Sequence, residues 1–277
     1  MPVSERQIAA FADTHAWQIP FDTSPRHLAG AGDARHVTHG LAAAGWTRTS
    51  DALSPEIVLR SPDHRHTLQF DPQSATSAWW RLRAEPTGTE PGWYAEFGEL
   101  VPAEILASLT DALITPPPAQ QRDLFEVLES AGWLLDARKA AHSPDAMCHV
   151  EQRRDQDDVT MYWHVETCEP GHGTPKGRRI WHGFFNGRTP EHLVTAFVTA
   201  LAEPAPLQRG MYDRTAHHGT VQQPSPLAPQ QVVEAHTARL STIRAQARAA
   251  RRQQRQQQHD STTAPAMVGT ARPAARR

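Results

Sequence analysis

Lysine is nearly absent from this sequence. It supplies two of the 28 basic residues, against 26 arginines, and Asn186 is the single asparagine. That bias matches a GC-rich coding sequence and points to no chemistry. Cysteine is equally scarce: Cys148 and Cys168 are too few for a disulfide scaffold and read as two reduced thiols. No apolar run approaches the roughly 20 residues needed to cross a bilayer, and the N-terminus has no signal-peptide core. The expectation is a cytoplasmic protein with no membrane partner. Catalytic signatures are missing too, with no Gly-x-Ser-x-Gly elbow, glycine-rich phosphate loop or His-Glu-x-x-His helix. No catalytic residue, cofactor or enzymatic activity is expected.

The 277 residues suffice for two domains of ordinary size, and eight Trp with eight Phe support real cores. The net charge of −2 hides an asymmetry. From Thr215 onward nine arginines face only Glu234 and Asp260, giving +7, whereas residues 1–214 hold 19 basic and 28 acidic side chains, giving −9. An acidic body carries a basic tail.

The chain also repeats itself. Gly45-Trp46 aligns with Gly132-Trp133, Trp93 with Trp181, Phe97 with Phe185, Pro102 with Pro190 and Leu113 with Leu201. The steps from the later tryptophan are four, nine and twenty residues in both copies, which indicates a duplicated domain. The organisation expected is an N-terminal arm over 1–25, a first repeat over 26–114 and a proline-rich linker over 115–120. A second repeat over 121–203 and a low-complexity basic tail over 204–277 follow.

Each repeat opens with a helix ending at a glycine: Val37, Leu41, Ala44 and Gly45 in the first, Leu124, Phe125, Leu128, Ala131 and Gly132 in the second. Strands follow. Ala78, Trp80, Leu82 and Ala84 alternate with Trp79, Arg81, Arg83 and Glu85; Met161, Trp163 and Val165 alternate with Tyr162, His164 and Glu166. A closing helix starts after Pro102 and again after Pro190. The fold class predicted is α+β: two tandem copies of a helix, an antiparallel meander of about four strands and a helix, plus a basic helical or disordered tail. The copies are expected to pack on each other with pseudo-two-fold symmetry.

Several of these motifs resemble the SPDY domain, a streptomycete family of unknown function that usually occurs as two copies per chain. They are Pro25-Arg26-His27-Leu28-Ala29-Gly30, Ser61-Pro62-Asp63, Trp79-Trp80, Trp93-Tyr94-Ala95-Glu96-Phe97 and Pro102-Ala103-Glu104-Ile105. In the second copy they are Ser143-Pro144-Asp145, Trp181, Phe184-Phe185, Thr189-Pro190 and Phe197. The resemblance covers residues 25–210, departs where His64 and Ala146 replace the family tyrosine, and implies no activity, ligand or catalytic residue.

Ser-Pro-Asp reads as a hairpin turn in both copies. His64 and His66 with Asp63, and Cys148, His149, Cys168 and His172, lack the paired spacings of zinc sites, so no metal is expected. Trp79, Arg81, Tyr94, Tyr162 and His182 fall on the outward sheet face, as a contact between the repeats or as a ligand platform. Residues 230–258 are rich in alanine, glutamine and arginine, with no glycine or proline, and predict a helix. At 100° per residue Arg244, Arg248, Arg251, Arg252 and Arg255 share one face, beside a thin apolar stripe of Val233, Leu240 and Ile243. The reading these features support is a non-catalytic binding or adaptor protein whose tail meets nucleic acid or an acidic protein. An enzyme with one site in a cleft between the repeats, lined by His64, His66, His149 or Cys168, and a structural homodimer stay open as alternatives.

Overall fold

Helix α1 (Glu5–Ala16) and strand β1 (Pro20–Ser24) precede the first repeat. That repeat comprises α2 (Arg35–Ala43), β2 (Thr47–Arg48), β3 (Ile57–Arg60), β4 (His66–Phe70), β5 (Ala78–Ala84), β6 (Trp93–Gly98) and α3 (Ala103–Ile114). The second comprises α4 (Leu124–Ser130), β7 (Leu134–Leu135), β8 (Ala140–His142), β9 (Cys148–Arg154), β10 (Met161–Cys168), β11 (Arg179–Phe185) and α5 (Glu191–Ala202). Strands β12 (Leu207–Gly210) and β13 (Val221–Pro224) and helix α6 (Pro229–Thr263) follow. This computed structural model describes residues 3–154, 161–171, 177–211 and 213–263.

Local chemistry sets the element ends. Ser4 and Gln7 form a capping box at the start of α1, and the Asp123 carboxylate accepts the Phe125 and Glu126 amides at the start of α4. The Gly-Trp pairs end α2 and α4. Gly45 and Gly132 take φ of 96° and 83°, and the Trp46 and Trp133 amides donate back to the Leu41 and Leu128 carbonyls. This closure needs a left-handed residue, which glycine supplies without steric cost, and it turns each tryptophan into the core.

Ser-Pro-Asp forms the hairpin turn of both repeats. Ser61 Oγ donates to Asp63 at 2.5 Å and accepts the His66 amide at 2.8 Å; Ser143 Oγ donates to Asp145 at 2.5 Å and accepts the Cys148 amide at 2.9 Å. The next residues, His64 and Ala146, have φ of 61° and 58°. His64 and Ala146 therefore occupy the same left-handed turn position in the two repeats.

Each repeat contains five strands rather than about four, because a two-residue strand (β2, β7) joins the outer edge of each meander. The repeats do not stack face to face. Strand β6 pairs antiparallel with β11, giving one ten-stranded sheet in the order β2-β3-β4-β5-β6-β11-β10-β9-β8-β7. The helices cover one side of it. Trp80, Leu82, Trp93, Phe97, Val150, Val165, Trp181 and Phe185 point there and meet Ile105, Leu109, Leu193 and Phe197. At the seam Phe197 stacks on Phe97 at 5.2 Å, and Phe185 stands edge-on to Phe97 at 5.2 Å and to Phe197 at 5.4 Å. The repeats share one core.

The arm and the tail are parts of the body. β1 is the middle strand of a second sheet, β12-β1-β13, and α6 packs on α1 and α2, burying Leu240 and Ile243. The segment after β1 leads into the first repeat but serves the second. Trp181 Nε1 donates to the His27 carbonyl at 2.7 Å, His27 Nε2 lies 2.9 Å from Asp145, and Arg26 donates to the Ala200 and Ala205 carbonyls. Among the described residues no helix is long and apolar enough to cross a membrane.

Candidate functional site

A cavity of about 520 Å³ lies where the N-terminal arm, β12 and the start of α6 converge. Trp17, Pro20, Met211, Leu227, Pro229, Val232 and Ala235 give it apolar walls. His15, Asp33, His36, Glu104, Arg209, Asp213, His236 and Arg239 bring polar groups to it.

Arg209 fixes one side of the cavity. Its five N–H bonds all find acceptors: Nε donates to the Ala29 carbonyl, Nη1 to Glu104 at 2.6 Å and to the Gln208 carbonyl, and Nη2 to Glu104 at 3.1 Å and to the Gly30 carbonyl. The guanidinium is buried, and the pairing with Glu104 is bidentate. Burial raises the Glu104 carboxyl, but Arg209 and His36 outweigh it and hold the group below its ordinary value. Gly32, at φ 64°, leaves room for the pair, since a Cβ there would stand 2.9 Å from Glu104 Oε2.

Phe11 is fully buried among four histidines. His236 stacks on it at 4.0 Å, His15 lies at 4.2 Å, His36 meets it edge-on at 5.7 Å and His39 at 6.2 Å. His39 Nδ1 and His236 Nε2 are 3.2 Å apart, so one donates to the other. Burial pushes all the displaced members down: His36 below its usual range, His39 to about 4, with Arg35 adding to it, and His236 to about 3, with its imidazole neighbours adding. These rings are neutral at pH 7. Asp33 is held by Arg35 at 2.6 Å and approached by His15 at 3.4 Å; these contacts outweigh burial and keep it strongly acidic. Arg239 forks onto Asp111 at 2.7 and 2.8 Å and donates to the His36 carbonyl, tying α6 to α3 and α2.

The arginines expected to form one free stripe on the tail divide. Arg244 donates to the Val3 carbonyl and Arg251 to the Ala44 carbonyl, so both clamp α6 to the body. Arg248 and Arg252 are exposed, and the Arg255 side chain lies outside the described residues.

The outward face carries no helix layer among the described residues and is not buried between the repeats. Tyr94 is 44% exposed and stacks on Phe184 at 5.5 Å; Phe184 meets Tyr162 at 5.2 Å, forming an aromatic row across β6, β11 and β10. Phe184 is the member that the alternation argument omitted. His182 is buried beside Gly98 on the adjoining strand, and burial with nearby Arg179 lowers it to about 4. Arg81 faces Glu96 and donates to Thr76 at 2.6 Å. Trp79 sits at an irregularity in the β5–β6 register and turns edge-on to Phe70 at 6.4 Å, away from the aromatic row.

His64, His66, His149 and Cys168 line no common cleft. His64 is at a turn, His66 lies on the helix-covered face between Trp46 and Trp93, and His149 is on the outward face of the other repeat. Two-residue spacing predicts a shared face for His64 and His66 only if both are extended, and the left-handed turn at His64 breaks that condition. Cys168 is buried, as is Cys148, whose thiol desolvation pushes far up, away from nucleophilic chemistry. His172 lies outside the described residues.

Comparisons with curated proteins and with solved structures give no match. Residues 60–119 and 142–207 match SPDY, a domain of unknown function (DUF317), and each match runs from the residue before Ser-Pro-Asp through the final helix of one repeat. Two regions of the chain thus resemble the SPDY domain in tandem, one in each repeat, and the repeats join edge to edge into one sheet.

Proposed function

We propose that this chain is a non-catalytic binding protein whose ligand is a small, largely apolar molecule held in the cavity between the N-terminal arm and α6. The cavity carries the argument. About 520 Å³ falls within the range of small-molecule sites, roughly 300–1,000 Å³, and apolar walls with a few converging polar groups are their usual construction. The bound charges favour recognition over catalysis. Asp33, Glu104 and Asp111 each already hold an arginine; burial lowers the His36 imidazole and takes His236 down to about 3, far from the neutral range that suits a general base at pH 7. What the imidazoles offer a ligand is a neutral hydrogen-bonding edge beside an apolar wall.

The test uses the full chain and anilinonaphthalene sulfonate, an amphipathic anionic probe that fluoresces in apolar surroundings. One saturable site that Ala235→Trp abolishes, with the circular dichroism unchanged, supports the reading. Absence of saturable binding, or binding indifferent to Ala235→Trp, rejects it.

A second reading rests on Arg248 and Arg252, exposed on a helix that continues beyond its last clamp at Arg251. Such a helix end suits a polyanion, which would make binding salt-dependent. Arg248→Ala/Arg252→Ala is the informative variant, because it spares Arg239, Arg244 and Arg251, which dock the helix. Fluorescence anisotropy with labelled DNA and RNA that is the same for both proteins would remove this reading.

A further inference from the structure

The outward face of the second repeat carries four ligand-type side chains in a rectangle. His149 and Glu151 stand two apart on β9, and Glu166 and His164 stand opposite them on β10, in the pairs His149–Glu166 and Glu151–His164. Spacing of two keeps each set on one face, and opposed residues bring their side chains together. The donor atoms converge. His149 Nε2 lies 3.3 Å from Glu151 Oε1 and 3.4 Å from Glu166 Oε2, and His164 Nδ1 lies 3.7 Å from Glu151 Oε1. One ligand atom each from His149, Glu151 and His164 falls within 4.8 Å of the other two.

These separations suit a metal ion. Zinc bonds to imidazole nitrogen and carboxylate oxygen of about 2.0–2.2 Å, arranged tetrahedrally, place neighbouring ligand atoms about 3.3–3.6 Å apart. We propose that His149, Glu151 and His164 form a zinc-type divalent metal site on the outward face of the second repeat. Glu166 Oε2, 3.4 Å from His149 Nε2, borders the site without belonging to the three-atom cluster.

Two further observations support it. The four side chains are sheltered, with exposures of 10% for His149, 20% for Glu151, 14% for His164 and 13% for Glu166, so an ion would meet partly dehydrated ligands. The first repeat supplies an internal control. The same register positions there hold Thr67, Gln69, Arg83 and Arg81, in the pairs Thr67–Arg83 and Gln69–Arg81. A sheet that tolerates threonine, glutamine and arginine at these places does not need two imidazoles and two carboxylates for folding. Arg153 contacts Glu151 Oε1, and Arg179 Nη1 lies 3.9 Å from Glu166 Oε1. A bound cation takes over the charge that Arg153 now balances on Glu151.

The experiment is titration of the chelator-treated full chain with Co²⁺, then Zn²⁺, following the visible absorption of tetrahedral cobalt and the stoichiometry by calorimetry. One ion per chain with a tetrahedral cobalt spectrum is expected. Removing an outer-shell partner commonly costs about 10–100-fold in metal affinity, so loss of a direct ligand should cost at least about tenfold. His149→Thr and Glu151→Gln install the residues of the first repeat and should each show that loss while the apo protein keeps its Tm. His164→Gln provides a third ligand variant should either fail to fold. His236→Gln, in the separate histidine cluster, should bind as the parent does. No stoichiometric binding, or equal affinity in the ligand variants, overturns the proposal.

Discussion

Phe184 lies directly opposite Glu96 across the β6–β11 seam, and the two are equivalent positions of the two repeats. Their neighbours obey the same exchange: Gly183, the counterpart of Ala95, faces Phe97, and Phe185, the counterpart of Phe97, faces Ala95. A pseudo-two-fold axis therefore passes through this pair. It explains how two short meanders, each with an otherwise unpaired sheet edge, cover those edges with each other. The aromatic side chains beside the axis bind the repeats into one core.

Phe185→Ala should test that shared core. Its ring is fully buried against Phe97 and Phe197, and truncation of such a side chain costs about 3–5 kcal/mol. Urea unfolding followed by tryptophan fluorescence and by far-UV circular dichroism should shift as a single transition. Separate transitions, with only one displaced, would mean that the repeats fold independently.

Arg209 joins β12, the Ala29-Gly30 segment and α3 through one buried guanidinium. Arg209→Met leaves Glu104 buried and uncompensated, which should destabilise the fold by about 3–5 kcal/mol. Adding Glu104→Met should recover part of that loss, because both charges then leave together. A double variant as unstable as the sum of the singles would show that the pair is not coupled.

Among the described residues, every histidine whose titration is displaced moves in one direction. His36, His39, His66, His182, His192, His217 and His236 are all lowered, chiefly by burial. The unfolded chain protonates these rings near pH 6.5, whereas the folded chain keeps His39 and His182 neutral down to about 4 and His236 down to about 3. Unfolding thus takes up protons, and stability should fall as pH drops from about 6.5 toward 4. The carboxylates act lower. Burial raises Asp145, but its bonds to His27 and Ser143 outweigh that and bring it to about 2, so its contribution is lost only below about pH 4. His236→Phe keeps the stack on Phe11 and should flatten the upper part of the profile; an unchanged slope would contradict the assignment.

Ala146 occupies a left-handed backbone position at φ 58°, which costs a residue with a Cβ about 1–2 kcal/mol and costs glycine almost nothing. After the entropy that glycine loses on folding, Ala146→Gly should raise stability by about 0.5–1 kcal/mol. Thermal unfolding checks it, and a lower Tm would mean that the turn is unstrained.

Features governed by neighbours in sequence were legible before the structure. The Gly-Trp helix ends, the Ser-Pro-Asp hairpins and the inward set of Trp80, Leu82, Trp93 and Phe97 follow from backbone preference and alternation. What the alternation left open was the partner across the seam, because a strand edge carries no signature of the edge it will meet. The cavity was hidden for a similar reason. Arg209 is 105 residues from Glu104, and Arg239 is 128 from Asp111. Composition marked residues 204–277 as low-complexity tail, yet Leu240, Ile243 and the His236 stack on Phe11, with three arginine clamps, seat α6. The outward positions of His164 and Glu166 could be read from alternation, whereas their pairing with His149 and Glu151 required the β9–β10 register.

Hydrogen–deuterium exchange of the full chain, with and without saturating anilinonaphthalene sulfonate, locates the occupied surface and so decides where a ligand sits. Added protection is expected at residues 15–20, 208–211 and 227–239, which enclose the cavity. Protection confined instead to the strands bearing Tyr94, Tyr162 and Phe184 would place the ligand on the open sheet face and contradict that expectation.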